Sequence, residues 1–189
     1  MTRSDALPAG FQKWNKLFDS LNWKKICYKT TNATNDTRLR WFQMRLLHRI
    51  LPTGRYLFLR KLIDSPLYGF CKQEEETITH LFWGCTVIQS FWSNLQTLIK
   101  ETCINCTHFE LSEALVLFGV TDNIITDKVI DLFNLLAKFY FYRCKWGKNA
   151  SNVNVFLRIL KDRFVVERYF HIVTNRSSDF DIDWLPCRH

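Results

Sequence analysis

Residues 68–85 read YGFCKQEEETITHLFWGC, and the rest of the chain is organised around them. Eight residues separate Cys71 from His80, and four separate His80 from Cys85. Cysteine sulfur and histidine nitrogen are the donors that zinc takes in a tetrahedron, and short loops between ligands keep the entropy of closing the site small. Thr77 is placed to cap a helix starting at Ile78, with His80 in its first turn. Cys85 lies beyond that turn, so the chain has to bend after Gly84 for its sulfur to meet the imidazole.

On both sides of this stretch the apolar pattern is helical. Phe11, Trp14, Leu17, Phe18 and Leu21 recur at helical spacing, and Trp23 and Ile26 continue the pattern across a break near Ser20. The stretch TTNATND (30–36) reads as a polar loop. Asp36 or Thr37 caps a helix from Arg38 to Leu51, ended by Pro52, with Leu39, Phe42, Leu46 and Ile50 on its core face. Thr53 caps a further helix to about Ile63. Apolar residues between Val87 and Ile99 fall on one helical face. Ser112 to Phe118 is a short helix stopped by Gly119. Thr126 caps a long apolar helix to about Lys145, Gly147 breaks it, and a last helix runs from about Val153 to Phe170. No strand is strongly signalled, so the expected fold is mainly α, an irregular multi-helix domain.

The composition agrees. The chain has 189 residues, 47% of them hydrophobic and 23% charged, enough to bury a sizeable core in one domain. Six glycines and four prolines are too few for a turn-rich β sandwich. Seven cysteines, an odd number, argue against a disulfide framework. No apolar stretch in the first ten residues could serve as an export signal, so an intracellular, non-secreted protein is expected and the sequons at Asn32, Asn35, Asn105, Asn149 and Asn175 should stay unmodified. The most apolar run, Val129 to Tyr142, is interrupted by Asp131 and Lys138 and is shorter than the ~20 residues a membrane span needs. The reading divides the chain into an N-terminal helical part (1–63) with a basic helix at 37–51, a knuckle-like segment (64–86) and a C-terminal helical part (87–189), together one compact domain.

The run ETITHLFWGC (76–85), followed by Phe91 and Trp92, resembles the zinc-binding region of non-LTR, LINE-type retrotransposon reverse transcriptases. That family's pattern is two cysteines two residues apart, a Glu-Thr-x-x-His-Leu-Phe run, a further cysteine and an aromatic-Trp pair. LRWFQMRLLHRILPT (39–53) is similar to the basic helix before the knuckle. LVLFG (115–119), LLAKFYFYRCKW (135–146) and FLRILKDRFVVER (156–168) are similar to the stretch after it. The resemblance runs from about Trp14 to Trp184. It implies a CCHC-like knuckle whose second cysteine is Cys71, whose histidine is His80 and whose last cysteine is Cys85. The first cysteine would fall at Tyr68. Tyrosine is a poor structural zinc ligand because its phenol titrates near ~10 rather than the thiol's ~8.5. The residues alone therefore favour a degraded site, a corner packed by Tyr68, Phe70, Phe82 and Trp83, over a three-ligand zinc. A separate Cys103-x2-Cys106-x-His108 group lacks a fourth ligand and reads as a loop between helices.

Charge points to a polyanion. The formal net charge is +8, and Arg38, Arg40, Arg45, Arg49, Arg55, Arg60 and Lys61 follow one another without an acidic residue between Arg38 and Lys61. Arg38, Arg45 and Arg49 form a stripe flanked by Trp41, a combination suited to phosphate contact and base stacking. A second cluster comprises Arg143, Lys145, Lys148, Arg158, Lys161, Arg163 and Arg168. Glu74, Glu75 and Glu76 are expected to form an acidic tip that avoids a phosphate backbone. No Asp-Asp pair occurs to hold two catalytic metals, and Asp179, Asp181 and Asp183 read as a polar tail. No P-loop, G-x-S-x-G or G-x-G-x-x-G occurs. The expectation is a non-catalytic module that binds RNA or DNA electrostatically, with the rest of a reverse transcriptase polypeptide as a second partner and no membrane. The alternative is a helical protein-interaction scaffold or a non-functional retroelement relic.

Overall fold

A computed structural model describes residues 6–102, 109–119, 128–147 and 152–176. In chain order the helices are α1 (Ala9–Asn15), α2 (Trp23–Asn32), α3 (Thr37–Leu47), α4 (Gly54–Phe58), a π-helical turn (His80–Gly84), α5 (Thr86–Thr102), α6 (Glu113–Phe118), α7 (Lys128–Gly147) and α8 (Val153–Val173). Among the described residues there is no strand, only an isolated bridge between Leu67 and Glu75. The fold is mainly α, as the sequence patterning indicates.

α7 is the central element, packing against α2, α3, α8 and the π turn, while α5 packs on the π turn and on α8. Large rings fill the core. Phe91 meets Phe141 edge-on at 4.6 Å and Phe156 at 5.3 Å, and Phe42 meets Phe82 at 6.0 Å. The Trp92 indole N–H donates to the Phe82 carbonyl at 2.6 Å, tying α5 back to the π turn. A second ring cluster joins α1, α2 and the end of α6, where Trp14, Phe18 and Trp23 all set edges against Phe118.

Several boundaries differ from the sequence expectation. Residues 30–36 are not all loop: α2 continues to Asn32, and Thr30, Ala33 and Thr34 are buried. α3 stops at Leu47 rather than Leu51, because Arg49 adopts a φ of 56° and its guanidinium folds over the Trp14 ring, 4.2 Å from the centroid. Ile50, placed on the core face by periodicity, is consequently exposed. α4 ends at Phe58 rather than near Ile63, with Lys61 at a φ of 57°. The capping residues Asp36 and Thr53 sit where expected, each accepting a backbone N–H from the first turn of α3 and α4, and Ser112, read as the first residue of its helix, does the same for α6. Gly119 ends α6 at a φ of 70°, donating its N–H to the Leu115 carbonyl.

Candidate metal centre and basic surface

The chain between α4 and α5 folds back on itself. Tyr68 N–H donates to the Glu74 carbonyl at 2.8 Å and Lys72 N–H to the Tyr68 carbonyl at 2.7 Å, which places Cys71 at the tip of a tight turn. Thr77 then caps the following helix, its Oγ1 accepting the His80 N–H at 3.0 Å. The helix widens at once into the π turn, closed by the Cys85 N–H on the His80 carbonyl at 3.1 Å. A π turn stacks residues five apart. That stacking brings His80 and Cys85 to one side across four intervening residues, after which Cys85 turns extended, as the sequence requires.

The ligand atoms of Cys71, His80 and Cys85 lie within 4.8 Å of one another. The Cys71 sulfur is 3.3 Å from His80 Nε2. Tetrahedral zinc with bonds of ~2.3 Å to sulfur and ~2.05 Å to nitrogen separates such a pair by roughly 3.6 Å, so the spacing needs little adjustment. Glu74 holds the other imidazole nitrogen, Oε2 to Nδ1 at 3.1 Å, which orients the ring and leaves Nε2 for a metal. Burial pushes the Cys71 thiol up, but the backbone N–H groups of Gln73 and Glu74 and the His80 ring outweigh it and bring the pKa down to about 7. Burial raises the Cys85 thiol, against the opposing pull of the Val87 and Ile88 N–H groups at the start of α5. These three side chains fit a zinc ion.

The fourth position is different. Tyr68 is fully buried, its ring edge against His80 at 5.7 Å, and its hydroxyl has no hydrogen-bond partner among the described residues. Burial, reinforced by Cys85 and Glu76, drives its phenol far above the ordinary range, which disfavours the phenolate that a metal would need. A zinc here would be held by Cys71, His80 and Cys85, with one position left for water or another donor. Cys103, Cys106 and His108 lie outside the described residues. No disulfide occurs among the described residues.

The three glutamates of the loop do not form an acidic tip. Glu76 is buried, pairing with Lys145 of α7 at 2.5 Å and accepting the Gly54 N–H at 2.8 Å. Glu75 pairs with Arg55, and Glu74 is the partner of His80. Neither Glu74, Glu76 nor Lys145 carries a local sequence signal for these roles, because each partner comes from tertiary structure.

The basic residues divide into two groups. Arg40 donates to the Thr34 carbonyl at 2.6 Å, Arg49 covers Trp14, Arg55 holds Glu75, and Arg60 stacks over Tyr56 at 3.5 Å. Arg38 pairs with Asp36 yet has a side chain 81% exposed. Arg45, Lys61 and Trp41 face solvent, Trp41 being 68% exposed. From the second cluster, Lys145 is engaged with Glu76, Arg163 pairs with Asp36 and Glu167, and Arg143 is exposed; Lys148 lies outside the described residues. No described helix is long and apolar enough to cross a membrane.

Residues 10–92 match a family model described as zinc-binding in reverse transcriptase. The matched span runs from α1 into α5 and includes Cys71, His80, Cys85 and the basic α3. No curated protein and no solved structure matches the chain.

Proposed function

We propose that this chain is a zinc-holding, non-catalytic nucleic-acid-binding module of the C-terminal region of a LINE-type reverse transcriptase. The observation that carries the reading is the convergence of Cys71, His80 and Cys85 inside the segment that matches the zinc-binding family. A bound zinc would supply structural cross-linking of the turn at Cys71 to the start of α5, and its binding free energy would stabilise the fold. The chain's own residues prepare for it: Glu74 orients His80, and backbone N–H groups meet both sulfurs. The polyanion is RNA or DNA, attracted by the exposed cations at net +8, and binding of this kind weakens steeply as salt rises. The intracellular location follows from the same reading.

The test has two parts. Purified protein should carry close to one equivalent of zinc, lost on substituting Cys71 or Cys85. Its affinity for RNA and DNA should fall steeply as salt is raised. Undetectable binding at low salt, or tight binding that salt leaves unchanged, contradicts the reading.

A second reading is favoured by exposed apolar side chains at the end of α4 and beyond it, namely Phe58, Leu59, Leu62, Ile63 and Leu67. Such a patch suits contact with other parts of a longer polypeptide, and the chain would then act as a helical scaffold or persist as a relic.

A further inference from the structure

A groove of about 960 Å³ opens between α3, α7 and α8. Its α7 wall presents Tyr142, Arg143 and Trp146, and Arg38 of α3 stands opposite. Trp146 is 55% exposed, with its ring edge-on to Tyr142 at 6.1 Å and Lys145 Nζ 4.5 Å from its centroid. Along α3, Trp41 lies one turn from Arg38 and one turn from Arg45, so all three share an outward face. Arg38 belongs both to that outward face of α3 and to the groove lining, which joins the two. Two packed helices thus alternate cation and ring along one continuous surface.

We infer that this surface binds unpaired polynucleotide, with bases stacking on Trp41 and Trp146 and phosphates held by Arg38, Arg45 and Arg143. The inference rests on the nucleic-acid reading above and deepens it by naming the strand state and the residues. Charge decides the occupant. Arg45 and Arg143 have no acidic partner among the described residues, and Asp36 in the groove lining is shared by two arginines, Arg38 and Arg163. Asp162 lines the α8 rim, so the strand runs on the α3 and α7 side. One exposed indole in the groove and a second on the adjoining basic face of α3 match the stacking platforms of single-strand binders. In a duplex the base faces are already stacked, and a surface built for it needs phosphate contacts alone.

The test uses the full chain at low salt, with a fluorescent 12-nucleotide pyrimidine single strand and a duplex of the same length, measured by anisotropy. The single strand should bind at least about tenfold more tightly than the duplex. Trp41→Ala with Trp146→Ala should weaken single-strand binding by about tenfold or more while leaving the salt slope unchanged. Trp41→Phe with Trp146→Phe should restore most of it. Arg45→Ala with Arg143→Ala should reduce the slope of log affinity against log salt by about 1.4. Arg55→Ala with Arg60→Ala, outside the groove lining, should lower affinity and slope clearly less than that pair does. Binding that persists but ignores the tryptophan pair, or that prefers duplex, overturns this inference and leaves the nucleic-acid reading standing. Binding of neither strand form overturns both.

Discussion

Glu76 and Lys145 form a buried ion pair, Oε1 to Nζ at 2.5 Å, which ties the loop carrying the metal ligands to the central helix α7. The same carboxylate oxygen accepts the Gly54 N–H that opens α4, and the Glu76 N–H donates to the Pro66 carbonyl at 2.8 Å. Lys145 also donates to the Pro52 carbonyl at 2.9 Å. Removing one partner leaves the other buried and uncompensated. Glu76→Ala is expected to destabilise the fold by about 3–5 kcal/mol. Glu76→Leu combined with Lys145→Met should cost clearly less than the sum of the single changes, and denaturant unfolding of the four proteins measures that coupling.

Glu74 should matter to the metal and little to the fold. Its side chain is largely exposed, but it fixes His80 through Nδ1. Glu74→Ala is expected to weaken zinc binding by about 10–100-fold with a small change in unfolding midpoint, read by competition with a chromogenic chelator. Equal zinc affinity in the variant would show that His80 is oriented without it.

Tyr68→Cys separates packing from ligation. The ring is fully buried and packs against Phe70 at 5.1 Å, so its loss opens a cavity. The metal-free variant should unfold about 3 kcal/mol more easily than the parent, as large-to-small changes at buried aromatics do. With zinc, the added thiolate should raise affinity by orders of magnitude and reverse the loss. Unchanged affinity would mean that position 68 does not face the metal.

Lys138 gives the fold a pH dependence. It is fully buried on α7, donating to Gln43 Oε1 at 2.8 Å and to the Leu117 carbonyl at 3.3 Å. Burial brings its pKa down to about 7, with Asp131 opposing. Between that value and the ~10.4 of an unfolded lysine, the unfolded chain holds a proton that the folded chain lacks. Stability therefore rises with pH, by up to about 1.4 kcal/mol per unit. Cys71, at about 7 when folded, acts in the same direction up to the ~8.5 of a free thiol. Above that, the buried Tyr68, Cys85 and Cys144, all shifted upward, oppose it. The unfolding midpoint should climb from about pH 7 to about pH 8.5, and Lys138→Met should flatten the climb. A wild-type profile without that rise would mean that Lys138 stays charged in the fold.

Much of the helical plan was legible because it is written locally. Apolar spacing marked α5, and Asp36, Thr53, Thr77 and Ser112 marked helix starts by chemistry that operates within a few residues. The candidate metal ligands were legible as a spacing, and the structure brings the three side chains together. What escaped was set by partners distant in the chain. Arg49 sits in a basic stripe by helical arithmetic, yet the ring of Trp14 draws it out of register and ends α3 early. Three consecutive glutamates read as a solvated tip, but Lys145, Arg55 and His80 each claim one of them. The acid-free block from Arg38 to Lys61 looked uniform, although five of its six arginines are paired with neighbours or backbone.

The π turn from His80 to Gly84 also makes the segment intolerant of added length. Its wide ring is what aligns an imidazole and a sulfur five positions apart. Adding one residue between 82 and 85 would set them six apart, a spacing that no helical turn stacks. Cys85 would leave the other two donors, and Trp92 would lose the carbonyl of Phe82. Substitutions within this turn can be absorbed by repacking, and loss of one residue by tightening to an ordinary α turn, but an insertion cannot.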